Sequence, residues 1–312
     1  MVEVRAQRAS TPSVTVRAPA KINAYLGVGR VRDDGFHPLE TVYQAVSLYD
    51  DVTVTSAEEW SVSTMVEGPH VDLSSVPDDD TNIAIRAGRA LVEHHGIERA
   101  AAIEISKSIP VAGGMAGGSA DAAATLVALD RLWSLGTSDD DLLAIGAELG
   151  SDVPFALVGG TATGTGRGEV VTPVEDNGSW WWVVIFNDEG LSTPSVYGAY
   201  DLLEEGDHDY RIRPAMLDAL RSPGSEGLEV FLYNDLESAA FYLRPDLERA
   251  AEAALECGAI MALLSGSGPT MLAHASDADD ARLIAGRLAG RGYEQTAVVH
   301  GPVAGAHVVA YS

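Results

Sequence analysis

The chain of 312 residues carries 46 acidic against 20 basic residues, a formal charge of −26, and 46% of it is hydrophobic. That balance speaks against a nucleic-acid binder, which shows a basic footprint, and fits a soluble globular protein large enough for two domains. No apolar run reaches the ~18 residues of a membrane helix, Met1 to Thr11 has no secretory apolar segment, and the lone Cys257 permits neither a disulfide framework nor a multi-cysteine metal site, so a cytoplasmic protein is expected.

Ser13 to Ala18 alternates like a strand, and Ala18 to Gly27 continues extended past Pro19. Lys21 and Asn23, two apart, then face the same way. Asp33-Asp34-Gly35 marks a turn, with Phe36 and His37 directly after it. Leu39 to Leu48 and Val52 to Ser56 read as two strands separated by an acidic turn at Tyr49-Asp50-Asp51, and Trp60 to Val66 as another. The spacing over Ile83 to His95 predicts a helix stopped by Gly96. The acidic run Asp78 to Asp80 before it is a helix-start signal ahead of a metal site.

Ala101 to Ile109 reads as a strand feeding the segment Pro110-Val111-Ala112-Gly113-Gly114-Met115-Ala116-Gly117-Gly118-Ser119-Ala120. Glycine lets the backbone take positive φ and approach a ligand closely. The run Ser119 to Trp133 predicts a helix with Ser119 capping or beginning it. A strand, a glycine-rich turn and a helix start form an anion site, because orphan N–H groups and the helix dipole point at one spot. A phosphate cradle is therefore one reading and a flexible glycine-rich loop the other. The pattern is neither the Walker A loop, since no Gly-Lys-Ser/Thr follows, nor a dinucleotide fingerprint.

Leu142 to Leu149 forms a further helix, and Asp152 lies between its glycine stop and Pro154. Gly159 to Gly168 reads as a glycine-rich strand and turn, and Trp180 to Phe186 as a strand. Thr193 caps a helix with Pro194 in its first turn, and Glu204 to Ser225 is expected to be irregular. Leu228 to Cys257 looks helical with a break near Pro245. Ala259 to Leu264 and Met271 to His274 are strands around Ser265-Gly266-Ser267-Gly268, followed by a helix over Asp280 to Arg291 and a last strand over Tyr293 to His300. Strands and helices in this order suggest a small α/β sandwich in the second half.

The twenty cations less two lysines leave eighteen arginines, and the two lysines, Lys21 and Lys107, both sit near these motifs. A compact ammonium in place of a planar guanidinium is a specific choice. At Lys107 chance is the competing explanation.

Pro19-Ala-Lys21-Ile-Asn23, the glycine segment to Ser119, and Leu264-Ser-Gly-Ser-Gly268 resemble, in order and spacing, the three motifs of the GHMP kinases. Asp34-Gly35-Phe36-His37, Asp80-Thr-Asn82, Gly150-Ser-Asp152-Val-Pro154, Gly164 to Glu169 and Asn234 to Glu237 are similar to members that phosphorylate a hydroxyl of a cytidine diphosphate sugar-alcohol in isoprenoid precursor synthesis. The resemblance implies an α+β, two-domain fold: an ATP-binding domain at 1–176, a ferredoxin-like α/β sandwich at 177–312, and an active site between them using ATP and Mg2+. By the same resemblance Asp152 is the catalytic base and Lys21 its cationic partner. Residues 110 to 120 hold ATP, Asn82 and Lys107 line its adenine end, and Ser119 contacts phosphate or Mg2+ unless it is a plain cap. Asn23, Phe36, His37 and Tyr197 meet the substrate, with cytosine between Phe36 and Tyr197 and its edge read by His37. The family has tyrosine where Phe36 stands and more often glycine or serine where Ala112, Ala116 and Ala120 stand; alanine at 116 fits such a loop if its φ is negative. A kinase of the homoserine or mevalonate type, or a non-catalytic nucleotide binder on the same scaffold, is the alternative. A small-molecule substrate, no nucleic acid, no membrane, and a monomer or weak dimer are expected.

Overall fold

The computed structural model describes residues 11–68, 71–187, 189–203, 209–222 and 227–312. The amino-terminal reading therefore lies outside the described residues except for Thr11, as does part of the segment expected to be irregular. The chain opens with β1 (Ser13–Val28), β2 (Leu39–Ala57), β3 (Ser61–Val66), α1 (Ile83–His95) and β4 (Ala100–Lys107). It continues through α2 (Gly117–Trp133), α3 (Asp139–Leu149), α4 (Val153–Val158), β5 (Thr161–Gly166), β6 (Val170–Val174) and β7 (Trp180–Ile185). After α5 (Thr193–Leu202) and α6 (Pro214–Arg221) come a 3-10 turn at Glu229–Phe231, β8 (Tyr233–Asn234), α7 (Glu237–Leu243) and α8 (Pro245–Glu256). The chain closes with β9 (Met261–Leu264), β10 (Met271–Ala275), α9 (Ala278–Ala289), β11 (Thr296–Gly301) and β12 (His307–Tyr311).

Local signals place several of these. Asn82 accepts the amide of Ala84 as N-cap, and Gly96, at φ 61°, ends α1 in the left-handed conformation that glycine tolerates. Other elements differ from expectation. β2 runs unbroken through Tyr49-Asp50-Asp51, because Asp50 turns inward and is fully buried. α6 falls inside the stretch expected to be irregular, and the long helix expected from Leu228 becomes a 3-10 turn, a short strand and two helices.

The larger sheet runs β12-β1-β2-β4-β3, with β5 and β6 extending from β2 and β8 pairing β1; the second runs β11-β7-β10-β9. Two strands of the segment expected as a separate domain, β8 and β12, thus lie in the first sheet, both along the edge of β1 that β2 leaves free, β12 at Val14 to Arg17 and β8 at Tyr25 and Leu26. α2 buries Ala120, Ala122, Ala123 and Ala124 beneath the large sheet. Small side chains let helix and sheet approach closely, and the same apolar cluster reaches Trp180 and Trp182 of β7. No helix among the described residues is long and apolar enough to cross a membrane.

His274 of β10 sits within that core, fully buried, with its ring centroid 4.8 Å from Trp182 and 6.1 Å from Trp180. Neither ring nitrogen has a hydrogen-bond partner. Burial disfavours the imidazolium and pushes the His274 pKa down to about 4. Its folded value lies below the unfolded one, so this contribution is complete above pH ~6.5 and is lost as pH falls toward 4. Comparing urea denaturation of the native chain and His274→Phe at pH 7.5 and 5.0, we expect the native chain to lose about 2 kcal/mol more than the variant on acidification. Equal losses would show that His274 takes up its proton in the fold as readily as in the unfolded chain, and that burial does not hold it neutral.

Candidate active site

The glycine segment leaves β4 and enters α2 in a conformation that positive φ angles dictate: 54° at Ala112, 75° at Gly114 and 60° at Ala116. The negative φ expected at Ala116 is not what the loop needs. Ala116 is instead a left-handed N-cap, a strained position for a residue with a Cβ, and α2 starts at Gly117. Ser119 accordingly stands within the first turn and is not the cap. The amides of Gly117, Gly118 and Ser119 have no intrahelical acceptor, and they point with the helix dipole toward the mouth of the loop.

The three motifs of the sequence converge here by backbone contact. The Lys21 amide donates to the carbonyl of Met115 at 3.1 Å, and the Ser265 hydroxyl to that of Gly114 at 3.1 Å. A Cβ on Gly114 would stand 2.2 Å from the Ser265 carbonyl oxygen, and one on Gly266 3.2 Å from Lys21 Nζ. Close approach therefore requires glycine at 114, and a φ of 57° favours it at 266. Asn234 holds the third motif from behind, its amide donating to the carbonyls of Leu264 and Gly266.

Between these loops lies a cavity of about 220 Å³ lined by Lys21, Asn23, Tyr43, Asp152 and Arg167 among others. Lys21 Nζ lies 3.9 Å from Asp152 Oδ2 and donates to Asn23 Oδ1 at 2.7 Å. Asn23 donates in turn to Thr41 Oγ1, whose hydroxyl donates to the Tyr25 carbonyl. Tyr43 donates to Asp152 Oδ1 at 3.2 Å. Burial first, then the charge of Asp152, raises the Tyr43 hydroxyl well above its ordinary pKa, so it remains a donor. One oxygen of Asp152 thus faces an ammonium and the other takes a phenol. The carboxylate keeps a partly exposed edge, its side chain being 30% accessible. Such a group can accept a proton from a hydroxyl placed against it.

A second cavity of about 550 Å³ adjoins the first and holds Phe36, His37, Arg167, Tyr197 and Asp201. Phe36 is half exposed. The His37 ring lies 5.0 Å from that of Tyr197, and its Nε2 pairs with Asp201 Oδ1 at 2.8 Å. The two predicted aromatic residues therefore share one cavity, with Tyr197 packed on His37.

Two expected nucleotide contacts take other positions. Lys107 is buried and donates to Asp50 Oδ2 and Asp121 Oδ2, both at 2.7 Å. Its side chain is thus paired inside the protein with two carboxylates, beneath the glycine loop. Burial works against its charge, but the two carboxylates outweigh that and leave its pKa raised. Asp50 Oδ1 also accepts the amides of Ser108 and Ile109, which open the glycine segment. Burial, opposed by Lys107 and reinforced by Asp50, pushes Asp121 up to about 8. Asn82 is buried as the α1 cap, with its side-chain amide on the Pro77 carbonyl.

Thr41, Tyr43, Asp50, Asp121 and Arg167 did not stand out in the sequence as site residues. Thr41 and Tyr43 are two apart on β2, and the pairing of Asn23 with Tyr43 is what brings them to Lys21. That register is the signal, and it exists only in the fold.

Residues 82–160 match the description "GHMP kinases N terminal domain", and residues 216–294 match "GHMP kinases C terminal". A 4-diphosphocytidyl-2-C-methyl-D-erythritol kinase of a Nocardioides species is 56% identical over 95% of this chain and 100% of its own length. The chain belongs to the GHMP kinase family. A relative of the same name from Mycolicibacterium smegmatis is 48% identical over 96% of this chain and 94% of its own. Among solved structures, a 4-(cytidine 5'-diphospho)-2C-methyl-D-erythritol kinase superposes with a TM-score of 0.71 at 31% identity, covering 92% of this chain and 98% of that one. A homoserine kinase from Cytophaga hutchinsonii superposes at 0.70 with 20% identity over 98% and 100% of the two chains, a likeness of fold alone. As a GHMP kinase the chain is an ATP-dependent enzyme.

The buried lysine gives the first test of the site. Lys107→Met leaves two carboxylates facing each other without a cation, a change that costs ~3–5 kcal/mol in such settings. We expect a large drop in melting temperature before any nucleotide is added. An unchanged melting temperature with lost ATP affinity would restore Lys107 as a nucleotide contact.

Proposed function

We propose that this GHMP kinase transfers the terminal phosphoryl group of ATP to the 2-hydroxyl of 4-diphosphocytidyl-2-C-methyl-D-erythritol, in the cytoplasm where ATP is supplied. The observation that carries the reading is the pair of joined cavities. One ends at Asp152 and Lys21 and is open to the glycine loop; the other is lined by Phe36, His37 and Tyr197. A substrate with a base at one end and an alcohol at the other fits both. The near-full-length relatives bearing that kinase name support it.

In this reading the substrate hydroxyl lies against Asp152. Its O–H proton passes to the carboxylate, its oxygen forms the new O–P bond, and the bond to the leaving diphosphate of ATP breaks. Lys21, 3.9 Å from Asp152, meets the charge that develops on the transferred group. The Tyr43 hydroxyl and the chain from Lys21 through Asn23 to Thr41 fix both side chains, and phosphoryl transfer asks mainly for such positioning. The loop amides at the start of α2 hold the phosphates. No cluster of three His, Cys, Asp or Glu is placed to bind a metal among the described residues. Mg2+ typically keeps phosphate oxygens and few protein ligands, which suits a site where the Ser119 hydroxyl is the nearest candidate donor. Bound there, the ion would neutralise phosphate charge.

Asp152→Asn should lower kcat by about 10²-fold or more while both substrates still bind, and near-normal turnover would remove it as the base. Stacking a base on an aromatic ring contributes about 1–3 kcal/mol, so Phe36→Ala should weaken the cytidine substrate about 5- to 150-fold and leave the KM for ATP alone. Parallel loss of both ligands, with a lowered melting temperature, would make Phe36 a packing residue. A uridine analogue replaces the amino donor of cytosine with a carbonyl, which a site built to pair with cytosine rejects beyond the stacking term. Equal kcat/KM for the two would show that the base edge is not read.

A further inference from the structure

The proposed substrate has two ends and a doubly charged link between them. A chain with a formal charge of −26 has no diffuse positive field to hold that link, so the cation must be local. The catalytic and aromatic cavities share Leu39, Ser151, Arg167, Thr193 and Tyr197. Among the described residues, Lys21 and Arg167 are the Lys or Arg side chains lining either cavity, and Arg167 alone lines both. Lys21 is committed at the reaction end, to Asn23 and Asp152.

Arg167 stands at the tip of the β5–β6 hairpin, between Gly166 at φ 75° and Gly168 at φ 102°. Glu169 accepts its backbone amide at 2.6 Å, fixing the turn without engaging the guanidinium. The guanidinium lies 4.9 Å from the centre of the Phe36 ring. Asp34 feels its charge but is already paired with Arg32 at 2.7 Å. Arg167 itself is exposed and forms no salt bridge among the described residues. An unpaired, planar cation stacked beside an aromatic ring at the junction of two cavities suits a phosphate group, which guanidinium binds in bidentate fashion.

Resting on the substrate reading above, we propose that Arg167 binds the diphosphate link of the substrate and thereby sets the enzyme's preference for a nucleoside-diphosphate alcohol over small alcohols such as homoserine. The base is held at one end, the hydroxyl at the other, and Arg167 fixes the distance between them.

The test is calorimetric titration of the native chain, Arg167→Met and Arg167→Lys with cytidine and with CDP, the ATP site being saturated with a non-hydrolysable analogue. Affinity for ATP is measured separately. For the native chain we expect CDP to bind at least about 10-fold tighter than cytidine, since charge-assisted hydrogen bonds contribute about 1.5–3 kcal/mol. Arg167→Met should remove most of that difference while keeping cytidine and ATP affinities within about 3-fold, and Arg167→Lys should recover part of it. A CDP-to-cytidine ratio unchanged in Arg167→Met overturns the assignment. So does an equal loss of CDP and cytidine, which would make Arg167 a support for Phe36. If the native chain binds neither ligand, the substrate reading itself fails, and the role of Arg167 with it.

Discussion

Beneath the glycine loop, one lysine and two aspartates share a site from which solvent is excluded. Lys107 on β4, Asp50 on β2 and Asp121 on α2 tie a strand pair to the helix that opens the phosphate site. Buried ion pairs add little net stability, because desolvation offsets attraction. What they impose is register: an ammonium with two acceptors at 2.7 Å allows one arrangement of the three elements. Since Asp50 also takes the amides of Ser108 and Ile109, that arrangement sets where the loop begins. The position of Lys21 follows, because its amide is fixed to the Met115 carbonyl within the loop.

The acidic character of the protein and its work on anions are reconciled by locality. The groups available to phosphates are backbone amides at the start of α2, which carry no net charge, and two cationic side chains in the two cavities. Lys21 sits 3.9 Å from the Asp152 carboxylate, and Arg167 sits where the cavities join. Exposed charges elsewhere are screened within about 10 Å at ordinary salt, so the net −26 does not forbid an anion in a lined cleft.

Much of the fold was legible where a local rule decides an element. Asn82 and Gly96 bracket α1 at the residues the spacing implied, and the strand, glycine turn and helix around residue 114 lie in the expected order. Rules failed where long-range pairing decides. Asp50 sits in an acidic pair that reads as a turn, and only the distant Lys107 explains its burial within a continuous strand. β12 (HVVAY) has strand-forming residues but lies beyond the last strand the sequence suggested, and its place beside β1 is set by pairing across almost the whole chain. In the candidate site, motif order pointed to Lys21 and Asp152, which the fold sets 3.9 Å apart, whereas Thr41 and Tyr43 depend on the β1–β2 register. Lys107 was noticed as a rare lysine, but its burial and its pairing with Asp50 and Asp121 depend on contacts distant in sequence.

The central claim is that the two joined cavities select one alcohol. It is tested most directly by kcat/KM of the purified enzyme with ATP and three acceptors: 4-diphosphocytidyl-2-C-methyl-D-erythritol, homoserine and mevalonate, with the phosphorylated position of the product located by phosphorus NMR. The account requires the cytidine compound to be preferred by at least about 10³-fold, consistent with several kcal/mol of stacking and charge-assisted contacts that the small alcohols lack, and the new phosphate to lie on its 2-hydroxyl. Comparable or faster phosphorylation of homoserine or mevalonate would contradict it.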